Sequence, residues 1–134
     1  MLSKVPEELL NKENDEVLKY IQDLSAHDGV ADELVKSVNP LGDVQVFCPD
    51  WESFRYVVVS TNNIIFAVAL GQDTVAYRLN AEFKEKALLT GCKLYPQLGE
   101  SWVWVNPYSG DWPRVDFTFW ARKSYLGTRE LAQA

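Results

Sequence analysis

Apolar residues are most densely packed between Arg55 and Leu79, in the stretch RYVVVSTNNIIFAVALGQDTVAYRL. Val57–Val59, Ile64–Phe66, Val68, Leu70, Val75, Tyr77 and Leu79 are the β-branched, aromatic and large aliphatic residues that suit a pleated, half-buried surface. Thr61-Asn62-Asn63 and Gly71-Gln72-Asp73 interrupt them with residues that accept positive φ or bond their own backbone, which predicts three antiparallel strands joined by tight turns. Upstream the period changes to that of a helix. Val17, Tyr20, Ile21 and Leu24 predict a helix from Asp15 to Ala26, N-capped by Asn14 and ended by His27-Asp28-Gly29, with Gly29 as a left-handed cap. Ala31, Leu34, Val35 and Val38 form a second stripe closed by Asn39-Pro40-Leu41-Gly42, and two helices or one kinked helix satisfy the pattern equally.

Val44 to Cys48 reads as an edge strand stopped by Pro49, which has no N–H for a ladder. After the meander, Asn80 caps a helix from Ala81 to Thr90, with Phe83 and Ala87 inward and Gly91 as its stop. Lys93-Leu94-Tyr95 is a short strand, and Ser101-Trp102-Val103-Trp104-Val105 is a stronger one without a polar face. Either both its faces are covered or its tryptophan face binds something. Trp112-Pro113 opens a last helix whose stripe is Phe117, Trp120, Ala121, Ser124 and Tyr125, with Gly127 as its predicted end. This order predicts an α+β fold. It is two-layered, with an antiparallel sheet of about five strands and helices packed on one face, in the order helix-β-β-β-helix-β-β-helix. Residues 1–134 form a single domain, helical over 1–42 and carrying the sheet and two helices over 43–134, with Val58, Phe66, Val68, Val103 and Trp120 in its core.

Composition adds three constraints. With 134 residues, 47% of them hydrophobic, the chain has material for a core without disulfide or metal staples. Its net charge of −6 argues against non-specific binding of polyanions. That charge is uneven: residues 1–54 carry four Lys/Arg against twelve Asp/Glu (−8), and residues 55–134 carry nine against seven (+2). Cys48 and Cys92 have no motif spacing and read as reduced, buried thiols. The first residues show no apolar signal core, and the longest apolar run is too short and too interrupted to cross a bilayer. No membrane association and a cytoplasmic location are expected.

The search for chemistry returns little. His27 has no second histidine or nearby cysteine, and Asp23, Asp28, Asp32 and Glu33 lack the glycine-bearing loop of a calcium site. No phosphate loop, dinucleotide fingerprint or nucleophile elbow is present. No catalytic, cofactor-binding or metal-binding residue is expected, and no cofactor. The unusual feature is a crowd of aromatics from Trp102 to Tyr125. Read structurally, they fill the space between the last strand, the last helix and the sheet. Read functionally, they grip a partner.

A succession of residues from about 53 to 126 resembles a known pattern. Phe66-Ala67 lies inside a strand, Arg78-Leu79 ends the next, and Ala87 sits in the following helix. Pro96 follows with Leu98-Gly99, then Trp102-Val103 opening a strand, and a final Trp120-Ala121-Arg122-Lys123-Ser124-Tyr125. This succession resembles the MmcQ/YjbR-like family, whose relatives include the N-terminal domain of the competence regulator TfoX. The resemblance implies a small two-layer fold of the type shared with secretion chaperones, and DNA binding has been suggested for such proteins. It brings no catalytic residues. Where these proteins tend to place a lysine just before the Phe-Ala strand, this chain has Asn63-Ile64-Ile65, which together with the acidic balance weighs against nucleic acid.

The expected function is therefore a non-enzymatic module that recognises a protein or peptide, as a monomer or homodimer, through Trp102, Trp104 and Phe119. The alternative is a DNA-binding protein of the YjbR and TfoX N-terminal type, using Arg78, Arg114, Arg122 and Lys123. Because no zinc-like ligand set exists, a chelator is expected to leave the thermal unfolding midpoint unchanged. A fall of several degrees in a calorimetric scan would implicate Cys48, Cys92 and His27.

Overall fold

The computed structural model describes residues 5–22, 24–49, 55–108 and 117–133. Among the described residues, six strands form one antiparallel sheet: β1 (Gln45–Phe47), β2 (Val57–Thr61), β3 (Ile64–Leu70), β4 (Thr74–Arg78), β5 (Lys93–Leu94) and β6 (Trp102–Val105). Their order is β1-β2-β3-β4-β6-β5, so the β2–β4 meander is central and the short β1 and β5 are the edges. Asn62 and Asn63, at φ 51° and 65°, make the two-residue β2–β3 turn that the right-handed strand twist requires. The α-helices described beside the sheet are α1 (Asp15–Ile21), α2 (Asp28–Val38), α3 (Ala81–Leu89) and α4 (Phe117–Gln133), with 3-10 turns at Glu7–Leu9 and Lys12–Asn14 before them. The expected α+β architecture is present. Val58, Phe66, Val68, Val103 and Trp120 are all buried.

Helices cover both faces of the sheet rather than one. On the first face, Val57, Val59, Val75, Tyr77, Val103 and Val105 pack under α2, Ala87 of α3, and Trp120 and Ala121 of α4. On the second, Val58, Val68, Ala76 and Trp102 meet Val17, Leu18 and Ile21 of α1 together with Leu98. Successive strand residues point to opposite faces, so two covered faces account for the lack of a polar face along β2, β3 and β6. The chain changes face at residues 24–27. Gly71 donates to the Ser25 carbonyl at 2.6 Å, and the His27 amide donates to the Gly71 carbonyl at 2.7 Å, which fastens the α1–α2 connection to the β3–β4 turn.

β3 breaks the alternation once. Val59 pairs with Ala67 but Ser60 pairs with Ile65, so Phe66 is an extra residue, a β-bulge. Its ring and Ala67 both belong to the first face, with Ile65 and Val68 on the second. The ladder to β4 also stops at Ala67–Tyr77. Side chains complete the bonding there. Asn14 Oδ1 accepts the Ile65 amide at 2.8 Å, Arg78 Nε donates to the Ile65 carbonyl at 2.8 Å, and Ser124 Oγ reaches the Phe66 carbonyl at 2.9 Å and the Arg78 carbonyl at 2.5 Å.

Three local expectations are corrected by this packing. Asn14 stands at the N-cap position of α1 but makes no side-chain cap bond: its side chain is buried and donates to the Leu9 and Asn63 carbonyls, both at 2.9 Å, while Asn11 caps the turn before α1. His27-Asp28-Gly29 starts a helix instead of ending one, because α1 stops at Ile21 and His27 Nδ1 accepts the Gly29 amide at the head of α2. Gly127 does not end α4. The helix continues because Thr128 is buried beyond it and Arg129 Nη1 bonds Thr61 Oγ1 at 3.1 Å and Asp43 Oδ2 at 3.2 Å. The predicted opening of this helix at Trp112-Pro113 lies outside the described residues.

Replacing Asn14 by Ala strands a buried amide and removes two carbonyl partners, and is expected to cost about 3 kcal/mol. Urea unfolding checks it. A cost below about 0.5 kcal/mol, the level of an ordinary surface change, would show that the bulge does not need this side chain.

Candidate functional site

The outer edge of β1 is one of the two margins of the sheet. Among the described residues nothing pairs with it. Its sequence, Gln45-Val46-Phe47, carries no charge, and Val46 is 40% exposed. Natural edge strands are commonly blunted by lysine, proline or extreme shortness. The opposite edge, β5, is only two residues long and holds Lys93, whose Nζ lies 6.0 Å from the Trp104 ring centroid. Beside β1 runs a groove of about 440 Å³ between the strand and the turn at Glu7–Leu9. Pro6, Leu9, Val46 and Phe47 are its apolar lining residues, and Glu8, Gln45, Ser60 and Asn63 its polar ones. Charge decides what would approach: Glu7, Glu8 and Asp43 are exposed in the acidic N-terminal part. The sequence signal for this site is the uncharged strand stopped by Pro49, which predicts the edge but not the groove, since the groove needs the N-terminal turn folded beside it.

The aromatic candidates do not share one surface. Trp102 is 1% exposed, covered on the second face by α1 and Leu98, and the Arg78 guanidinium lies 5.1 Å from its ring centroid. It offers no surface to a partner, which corrects its assignment as a contact residue. Trp104, on the same face, is half-buried and edge-on to Tyr95 at 6.4 Å. Tyr95 is in turn linked to Tyr20 of α1 through their hydroxyls at 3.1 Å, and burial with that contact raises its pKa. Phe119 is 42% exposed on α4, with its ring edge-on to Trp120 at 4.9 Å and Lys123 Nζ 5.4 Å from its centroid. A separate apolar exposure that the sequence reading passed over is at the end of α3, where Leu88 and the 88%-exposed Leu89 precede Leu94 of β5.

The basic candidates are dispersed as well. Arg78 is largely internal: besides Ile65 it bonds the Glu13 carbonyl through Nη2 at 3.0 Å. Burial pulls its pKa down to about 10 against Glu13 and Glu16, which hold it up, so it stays charged at neutral pH. Arg122 is exposed beside Pro40, Leu41 and Tyr125, whereas Lys123 points to Phe83, 4.9 Å from its centroid. Adjacent helix positions diverge by about 100°, so these two cations serve different neighbours. Arg114 lies outside the described residues.

Among the described residues no three His, Cys, Asp or Glu side chains are placed to hold a metal ion, and no helix is long and apolar enough to cross a membrane. No protein-family model, no characterised protein and no solved structure matches the chain.

Cys48 and Cys92 are both buried and unbridged. Burial raises the Cys92 thiol to about 11, partly opposed by the Thr90 hydroxyl. At about pH 8 such a thiol is ionised in roughly one molecule per thousand, against roughly one in four for an ordinary cysteine. Iodoacetamide at that pH is expected to alkylate Cys92 at least about a hundredfold more slowly in the native protein than in urea. Equal rates, read by mass spectrometry, would contradict the burial of this thiol.

Proposed function

We propose that this chain is a non-enzymatic binding module that takes an extended protein segment as an added strand along β1. The observation that carries this reading is the uncharged outer edge of β1, unpaired among the described residues, beside a groove of mixed apolar and polar lining. Strand addition draws affinity from main-chain hydrogen bonds and specificity from pockets for alternate side chains. The edge supplies the first, and the apolar lining residues Pro6, Leu9 and Phe47 supply the second. The exposed acids Glu7, Glu8 and Asp43 select a segment with basic residues flanking an apolar one. Trp104 and Phe119 are secondary contacts at most in this arrangement, and Trp102 is a support of the second face. DNA binding of the kind suggested by the YjbR-like resemblance receives less support, because Arg78, Arg122 and Lys123 do not converge on a shared surface.

The test is selection from a displayed peptide library, followed by fluorescence anisotropy of the selected peptides. Extended sequences with basic flanks are expected. Val46→Lys, a change at an exposed position that leaves the core intact, should weaken them at least about tenfold. Selected peptides that bind Val46→Lys as well as wild type would move the site away from β1. A DNA titration at rising salt provides the second arm. Submicromolar DNA affinity that falls with salt and in Arg122→Ala and Lys123→Ala would replace the peptide reading by the nucleic-acid one.

A further inference from the structure

One side of α4 is explained by the core, and the other is not. Trp120, Ala121, Ser124 and Thr128 are buried and recur at the spacing of a single helix face. At about 100° per residue, the positions pointing away from them are 119, 122, 126, 130 and 133. Phe119, Arg122, Leu126, Glu130 and Gln133 occupy these positions, and all five are exposed. They fall within one sector about 80° wide. Phe119 is 42% exposed and Leu126 44%. Two exposed apolar residues need no explanation by themselves. The charges set between and beyond them do.

Each of the other helices pairs opposite charges along its own surface: Lys19 with Asp15 in α1, Lys36 with Asp32 in α2 and Lys86 with Glu82 in α3. On α4 the exposed face is arranged differently. Among the described residues, the side chains of Arg122 and Glu130 have no hydrogen-bond or ion-pair partner. Nor does the sequence offer one at helical spacing. Around Arg122 the third and fourth neighbours are Thr118, Phe119, Tyr125 and Leu126, and around Glu130 they include Leu126, Gly127 and Gln133. The two charges stand eight positions apart, about 12 Å along the axis, too far to pair with each other. Glu130 also lies in the last turn of the helix, where the macrodipole disfavours an acid.

The stripe is symmetric about Leu126. Arg122 and Glu130 lie four positions to either side of it, and Phe119 and Gln133 seven. A two-fold contact requires a surface that complements itself, and this one does so in a single register. With a second α4 running antiparallel about an axis at Leu126, Arg122 faces the partner's Glu130 and Glu130 faces the partner's Arg122. The two Leu126 side chains then meet at the centre, and each Phe119 covers the stem of the partner's Gln133. A parallel pairing sets Arg122 against Arg122. An axis shifted toward Phe119, which would bring Phe119 onto the partner's Leu126, sets Arg122 against Lys123. Like charges exclude both. We propose that α4 is a homodimer contact, in which two copies of this chain pack antiparallel across Leu126 with Arg122 and Glu130 paired between them. Exposed ion pairs add little affinity but fix register. A contact along one pair of helices is small, so the dimer is weak and reversible.

Sedimentation equilibrium at low salt, with loading concentrations from about 5 to 500 μM, tests the contact. A monomer–dimer equilibrium with a dissociation constant of about 10–200 μM is expected. Leu126→Glu should weaken it at least about tenfold. Arg122→Glu and Glu130→Arg should each weaken it about fivefold, because each sets like charges face to face. The double variant restores both pairs with their signs exchanged and should return to within about twofold of wild type. All three positions are exposed, so urea midpoints unchanged from wild type confirm that the variants fold. A protein still monomeric at about 500 μM, a dimer indifferent to Leu126→Glu, or a double variant no tighter than the single ones would overturn the proposal. A dimer lost in Val46→Lys but kept in Leu126→Glu would also overturn it, by placing self-association at β1. None of these results depends on the peptide selection, so the two surfaces stand or fall separately.

Discussion

The backbone of β3 from Ile65 to Ala67 must be hydrogen-bonded although neither neighbouring strand can do it fully, and much of the structure follows from that need. The bulge at Phe66 throws β3 out of step with β2, and the ladder to β4 ends at the same place. Buried amides and carbonyls left open would be costly. Asn14 from the N-terminal turn, Arg78 from β4 and Ser124 from α4 come to this short stretch from three directions. Each is polar, each is wholly or mostly buried, and each belongs to a different layer. The bulge therefore joins the two cores as well as kinking a strand.

Asn14 and Arg78 also decide what the second face looks like. Asn14 holds the turn before α1 to the β2–β3 hairpin, and Arg78 joins the Glu13 carbonyl to the edge of that face while lying over Trp102. With α1 fixed in this way, the tryptophan side of β6 becomes interior. The molecule thus leaves its open main-chain hydrogen-bonding groups at the margin of the sheet, not on a broad sheet surface.

Periodicity made the elements legible in the sequence, and the pleat made the core legible. The β2–β4 meander, the cap at Asn80, the short β5 and the stripe of α4 all depend on residues near one another in the chain, where local rules hold. The misread positions depend on contacts between distant segments. Asn14 has the residue type of a helix cap but bonds Asn63 and Ile65, some fifty positions away. His27-Asp28-Gly29 has the composition of a helix end, yet becomes a beginning because the Gly71 turn captures the preceding residues. Gly127 has the residue type of a stop, but burial of Thr128 and the bonds of Arg129 carry the helix through it. For the same reason the tryptophans suggested a surface: alternation shows that β6 has two apolar sides, but not that the chain's own N-terminal segment covers one of them. The β1 strand was readable, and the groove beside it was not.

The cover over Trp102 has a consequence for the order in which the molecule can be completed. The segment that forms it is synthesised before the strand it covers, which lies some eighty residues later. Tyr20 must wait for Tyr95, and Asn14 for the β2–β3 hairpin. Until β6 has been made, α1 has no finished face to dock on, and its apolar stripe of Val17, Leu18 and Ile21 stays unshielded. Long-range closure of this kind slows folding and prolongs the interval in which apolar surface is open to other chains. The nascent chain thus makes this cover well before the face beneath it is complete, and a stall in translation before residue 102 would leave the cover without the tryptophan it shields.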